Sequence, residues 1–264
     1  MKTIEPDTVR EQVRVRYGDI AKSIRECCGR MGAIRCGSDK NYDQQLGYSA
    51  GEVRSVPKSS NLGLGCGNPT AIAFIRPGET VLDLGSGAGF DCFLAARQLD
   101  GTGRVIGVDM TPPMVAKARD NARKGNYANV EFRLGEIEAL PVADNSIDLV
   151  ISNCVINLSP EKPRVFREAF RVLKTGGRLA IADVVATKPL PERIRTQIDA
   201  IGGCVGGAAL VDDLKNMLNN AGFTRIGIVP RDETRSLISH WRGGEDAAEF
   251  VTSAFITAYK AGTV

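Results

Sequence analysis

Histidine is almost absent from this chain, His240 being the single one in 264 residues. The commonest general base and the commonest metal ligand are therefore missing from any clustered site. No apolar run approaches the roughly 18 residues that a membrane-spanning helix needs. The opening Met1-Lys2-Thr3-Ile4-Glu5-Pro6 lacks the apolar segment of a secretion signal. With 34 basic and 31 acidic residues the formal net charge is +3, and no block of like charges forms a stripe. Neither a nucleic acid nor a membrane is implied as a partner, and a cytoplasmic location is expected. Internal repeats and low-complexity tracts are also absent.

Cysteine, by contrast, is well represented, at positions 27, 28, 36, 66, 92, 154 and 204. An odd number without a secretory signal argues against a structural disulfide framework and leaves free thiols available for chemistry. A hydrophobic content of 43% is ordinary for a globular protein with a sizeable core.

The most informative stretch is Val81-Leu82-Asp83-Leu84-Gly85-Ser86-Gly87-Ala88-Gly89-Phe90-Asp91. It reads as a buried strand, then a glycine turn that opens a helix, with Asp91 at the helix start. A second strand, Arg104 to Val108, ends on Asp109, about 20 residues past the glycines, the spacing of an acid that binds a ribose diol. The third glycine follows the second one residue sooner than in dinucleotide fingerprints, which fits a nucleoside ligand without a pyrophosphate. Asp83 to Gly89 resembles the first motif of class I S-adenosylmethionine-dependent methyltransferases, in which the glycine loop faces the methionine part of the ligand and the downstream acid its ribose.

Around this unit the chain alternates strands and helices. Helices are expected over Thr8–Arg25, Thr70–Ile75, Asp91–Leu99, from a Thr111 cap to about Lys124, after Ser159-Pro160, over Glu192–Ile201 and over 211–221. Further strands are expected at Asn129–Leu134, Ile147–Ser152, Arg178–Val185, 223–229 and Ala254–Tyr259. The stretch from 37 to 60 reads as irregular. The pattern predicts an α/β, doubly wound, mostly parallel seven-stranded Rossmann-like sheet with helices on both faces. Three parts are expected: an N-terminal helix and cysteine-containing loop (1–60), a cofactor-binding core (61–186), and an insertion with the C-terminal completion of the sheet (187–264).

The cysteines differ in setting. Cys92, beside Phe93 and Leu94, reads as core. Cys154 stands just past the fourth strand, where open parallel sheets bind ligands. Cys66 and Cys204 lie in glycine loops with no packing reason to hold a thiol. A zinc site at Cys27, Cys28 and Cys36 is not expected, because a fourth ligand and the paired two-residue spacing are both lacking.

Nearly the whole chain resembles the S-adenosylmethionine-dependent arsenite methyltransferase family. The resemblance runs through Tyr17-Gly18, Leu46-Gly47-Tyr48-Ser49, Gly65-Cys66-Gly67, the Asp83 motif, Gly107-Val108-Asp109-Met110-Thr111, Ile151 to Leu158 and Cys204-Val205-Gly206-Gly207-Ala208. It implies methyl transfer from S-adenosylmethionine to arsenite, with As(III) on Cys154 and Cys204. Cys66 and an N-terminal cysteine, matched by Cys28 or else by Cys27 or Cys36, are implied in thiol exchange, and an external reductant, thioredoxin or glutathione, as co-substrate. It also implies a cofactor site of Asp83, Gly85, Ser86, Gly87, Asp109, Met110, Glu136, Ile137, Asn153 and Tyr48, Glu136 and Ile137 lying against the adenine. A monomer is expected. The chemistry agrees: trivalent arsenic is soft and favours sulfur, and three sulfurs leave it a lone pair as nucleophile. That attack removes no proton, so a chain nearly without histidine can manage it by positioning.

Two rival readings share these features. A carbon- or oxygen-methyltransferase of a small organic acceptor would use the same fold, but it needs a base, for which only His240, Glu136 or Asp183 offer themselves. A non-catalytic metalloid-binding protein would keep the thiols without turnover.

Overall fold

The computed structural model describes residues 5–23, 42–241 and 244–262. It opens with α1 (Pro6–Ser23), α2 (Tyr42–Gln45) and α3 (Ala50–Ser55), followed by β1 (Thr80–Leu84), α4 (Phe90–Gln98), β2 (Arg104–Asp109), α5 (Pro112–Lys124) and β3 (Val130–Leu134). The second half comprises β4 (Ile147–Asn153), α6 (Lys162–Val172), β5 (Leu173–Ala186), α7 (Glu192–Arg195), α8 (Ile198–Gly202), α9 (Val211–Asn220), β6 (Thr224–Arg231), α10 (Arg235–Ile238) and β7 (Val251–Tyr259).

The strands form one seven-stranded sheet in the order β3-β2-β1-β4-β5-β7-β6. Only β7 runs antiparallel to its neighbours. Strands covered on both faces carry near-continuous apolar runs rather than alternation; accordingly Val81, Leu82 and Leu84 of β1 and Leu149, Val150 and Ile151 of β4 are all fully buried. Val165, Phe166, Ala169 and Val172 recur at helical spacing and turn one face of α6 onto this core. The chain winds outward from β1 through β2 to β3, then crosses back to β4 on the other side of β1. That reversal opens a crevice beyond the carboxyl ends of β1 and β4.

Several expected elements differ in detail. The helix expected over Thr70–Ile75 is a single 3₁₀ turn, Pro69–Ala71, because the Asn68 side chain already accepts from the Ala71 N–H and closes it. The helix expected over Glu192–Ile201 breaks between α7 and α8. Asp91 is not a cap: α4 begins at Phe90, after Gly89 with φ +96°, and the Asp91 carboxylate turns inward. Ser159 does not cap α6 either; Glu161 precedes its first turn, and the Ser159 hydroxyl donates to Glu138 instead. Gly176 and Gly177 fall within β5, where the register with β4 shifts. Residues 42–60, read as irregular, hold α2 and α3. A Ser49–Glu52 capping box starts α3, and Leu46, Tyr48 and Val56 bury into the core. Among the described residues no helix is long and apolar enough to cross a membrane.

Candidate active site

The turn after β1 is shaped by Gly85, Gly87 and Gly89, with φ of +70°, +51° and +96°. A side chain at Gly85 would collide with Val155, so the turn closes only around glycine. The Gly85 and Ser86 N–H groups donate to the Val108 carbonyl, which ties the loop to the end of β2. Asp109 completes the tie: its carboxylate accepts from the Gly87 N–H at 2.9 Å and the Thr111 N–H at 2.8 Å. Burial raises its pKa while these donors pull it back.

Loops at the carboxyl ends of β1 to β4 line a cleft that α1 and the 60–65 segment cover. Two further carboxylates, Asp83 and Asp91, reach it. Asp91 accepts from the Tyr48 hydroxyl at 2.6 Å and the Asn153 amide at 3.0 Å, and Asp83 lies 3.2 Å from the Cys92 thiol. Burial pushes Asp91 up to about 6 and Asp83 well above the carboxylate range, Asp83 further by the charge of Asp91. Two buried carboxylates beside each other suit a cation between them. The Ser86 hydroxyl is buried with no partner among the described residues. A cationic amine at Asp83 and Asp91, a donor or acceptor at Ser86 and a diol at Asp109 match the amino-acid and ribose ends of S-adenosylmethionine.

At the mouth of β4 three thiols meet. Cys154 follows Asn153 directly and has φ +59°; Cys204, after α8, has φ +64°. A left-handed backbone costs a side-chain-bearing residue about 1–2 kcal/mol, so both positions are held by their surroundings. The Cys154 N–H donates to the Ala182 carbonyl at 2.8 Å. The Cys204 thiol donates to the Cys154 carbonyl at 2.7 Å. Cys66 is brought in by Asn153, whose side-chain oxygen accepts from the Cys66 N–H at 3.0 Å. The same Asn153 amide donates to Tyr48, Gly67 and Asp91, and a side chain at Gly65 would crowd it. One residue thus joins the cleft to the thiols. The Cys66 and Cys154 sulfurs lie within 4.8 Å of each other, and the Cys204 thiol reaches the Cys154 backbone.

All three sulfurs are buried, with Leu158, Val184, Ala200 and Val205 around them and Tyr17, Met110 and Trp241 packed alongside. Burial pushes Cys66 up to about 11. The bond from Cys204 draws Cys154 down, but Cys66 and burial outweigh it; Cys204 is raised by Cys154 and then by burial. The free site therefore holds neutral thiols near neutral pH. Asp183 stands close to two of them: one of its oxygens and the Cys66 and Cys154 sulfurs all lie within 4.8 Å of one another.

Of the sequence-predicted residues, Tyr48, Asp83, Gly85, Ser86, Gly87, Asp109, Met110, Ile137, Asn153 and Cys154 line the cleft. Cys66 and Cys204 sit behind Cys154 rather than on its wall. Glu136 does not line it. Its carboxylate is drawn to α1, 3.2 Å from Arg14 and 3.7 Å from Arg10, and Glu138 takes its place at the cleft. Cys28, with Cys27 and Cys36, lies outside the described residues. Cys92 is core, as expected. Sequence reasoning missed Arg10 and Tyr17 of α1 as part of the wall, and saw Asp183 only as a possible base. A lone acid in the apolar run Leu179-Ala180-Ile181-Ala182-Asp183-Val184-Val185 was the available signal.

Residues 75–222 match the model of a family described as "Methyltransferase domain". An arsenite methyltransferase of Halobacterium salinarum is 54% identical over 97% of this chain and 68% of its own length. One from Aquipseudomonas alcaligenes is 42% identical over 64% of this chain, which spans half of that relative. Among solved structures, an arsenic(III) S-adenosylmethionine methyltransferase from Chlamydomonas reinhardtii superposes with a TM-score of 0.61 at 33% identity, covering 84% of this chain and 73% of that one.

Proposed function

The chain belongs to the arsenite methyltransferase family, and we propose that it moves the methyl group of S-adenosylmethionine onto trivalent arsenic held by Cys154 and Cys204, with Cys66 as the third sulfur. The observation that carries this is the gathering of three buried cysteines at the carboxyl end of β4, the Cys66 and Cys154 sulfurs within 4.8 Å and the Cys204 thiol on the Cys154 carbonyl, beside the cleft that Asp83, Asp91 and Asp109 line.

In this reading the cleft residues hold the methyl donor. Asp83 and Asp91 receive its ammonium, the glycine turn accommodates its methionine part and Asp109 its ribose. Arsenic replaces the thiol protons, which leave with its hydroxides as water. Bound by three sulfurs, it keeps one lone pair, directed at the sulfonium methyl. Positioning supplies most of the rate, since no proton must be removed. After transfer, two of the sulfurs leave as a disulfide and return two electrons to arsenic. An external thiol such as thioredoxin or glutathione then reopens that disulfide. Cys28 delivers arsenic to Cys66 from the N-terminal side, and the chain acts as a monomer.

A radiolabelled-methyl transfer assay with arsenite against a panel of quinones, sterols and other small organic acceptors tests this. Label on arsenic alone is the expected result; label on an organic acceptor and none on arsenic rejects it.

A further inference from the structure

We propose that the Asp183 carboxylate supplies a fixed negative charge that stabilises arsenic as it becomes cationic during methyl transfer. The inference rests on the function proposed above and adds a residue to it. In the transfer the arsenic lone pair forms the As–C bond, the C–S bond breaks, and its electron pair stays on sulfur as a neutral thioether. Arsenic is formally oxidised from III to V and the methyl carbon correspondingly reduced. No proton moves and no further reactant is consumed. The unit positive charge of the sulfonium therefore passes to the arsenic among its sulfurs.

A site built for that reaction needs negative charge where the arsenic will be, already in place before transfer. Asp183 meets both requirements. Its oxygen and the Cys66 and Cys154 sulfurs lie within 4.8 Å of one another, and the residue is 2% exposed. It is pinned by three donors: the Ile156 N–H at 2.9 Å, the Asn157 amide at 2.8 Å and the Val184 N–H at 2.7 Å. No reorganisation is needed when the charge arrives, and the buried setting weakens screening.

Asp91 also bears on Cys66, and Lys162 lies near, its ammonium donating to the Ser159 carbonyl at 3.0 Å and the Asn157 carbonyl at 3.5 Å. Burial pushes Asp183 up to about 6, still below neutral pH, while the Val184 N–H and then the field of Lys162 draw it down; Lys162 also bears on Cys204. The carboxylate's field reaches all three thiols and raises each. One charge thus has two effects. In the free site it adds to burial and the neighbouring thiols in keeping the sulfurs protonated; once they are bonded to arsenic, it favours the cation that methylation creates.

Asp183→Asn removes the charge and keeps the shape. Arsenite affinity can be read from quenching of Trp241, the single tryptophan, which packs against the apolar cluster that includes the three cysteines. Methyl-donor affinity is read by calorimetry and transfer by single-turnover radiolabel. The expected result is both affinities within about threefold of wild type and transfer slowed roughly 100- to 1,000-fold, the scale of losing one preorganised electrostatic group. Unchanged transfer, or a loss matched by an equal loss of arsenite affinity, overturns the proposal. If Asp183→Asn does not fold, Asp183→Glu decides: a folded, arsenite-binding variant should keep at least a third of the rate, and a hundredfold loss in it rejects the role. A wild-type chain that leaves arsenite unmethylated while binding both ligands rejects the function itself, a result separate from either variant's.

Discussion

The Cys204 thiol donates to the carbonyl of Cys154 across 2.7 Å, and both residues adopt left-handed backbone at φ +64° and +59°. Each residue therefore helps fix the other, and neither sulfur is free to be replaced without consequence for its partner. Cys154→Ser and Cys204→Ser should each abolish arsenite methylation, since a hydroxyl does not bind soft arsenic as a thiolate does. Donor affinity should stay within about threefold, measured by calorimetry. Retained turnover in either variant would sink the assignment.

Asp109 gathers the Gly87 and Thr111 N–H groups, so Asp109→Ala removes both their acceptor and the proposed ribose ligand. A charged hydrogen bond contributes about 1.5–3 kcal/mol. S-adenosylmethionine affinity should fall roughly 10- to 100-fold, with arsenite quenching of Trp241 unaffected. An unaltered donor dissociation constant removes the ribose role.

Burial holds Asp91 at about 6 against an ordinary 3.8. Between those values the folded chain keeps a proton that the unfolded chain has released, so this group's contribution to stability falls as pH rises from about 4 to 6 and is level above. The difference amounts to about 3 kcal/mol at 1.36 kcal/mol per pKa unit. Asp91→Asn should therefore gain on wild type by a few kcal/mol over that window in urea unfolding. Two curves that run parallel from pH 4 to 7 would refute this.

Arg10 anchors α1 over the cleft. Its side chain is 12% exposed, pairs with Glu161 and lies 3.5 Å from Glu138, whose side chain is 5% exposed. Arg10→Ala leaves that buried carboxylate without its cation and should cost about 2–3 kcal/mol in denaturant unfolding. Arg14→Ala, at a side chain 37% exposed, should cost under about 1 kcal/mol. Equal losses in the two variants would show that the anchor is not at Arg10.

The fold was legible because its signals are local. Buried parallel strands write themselves as apolar runs, and the glycine turn and the acid at Asp109 stand at a fixed spacing. The cleft was legible for the same reason, through Asp83 to Gly87 and Asp109 to Met110. What could not be read was which of two acids in the turn after β3 faces the ligand. The Glu136–Ala139 bridge curls that turn, sending Glu136 toward Arg14 and Glu138 into the cleft. Residues 42–60 lack a periodic apolar stripe because their helices are too short for one; Leu46, Tyr48 and Val56 bury in the core and Tyr42 and Val53 pack against it. Asn153 as the joint between cleft and thiols depends on contacts with residues 48, 66, 67 and 91, which no local pattern encodes.

Cys154 and Cys204 are 50 positions apart in the chain, and Cys66 is more distant still. An arsenic atom bonded to all three is therefore a cross-link as well as a substrate. It closes two long loops that the unfolded chain would otherwise explore, a restriction on the order of 4 kcal/mol for each on chain-entropy grounds. Arsenite should accordingly raise the unfolding temperature, by as much as its affinity for the folded chain allows, and a dithiol that strips the arsenic should return the chain to its former melting point.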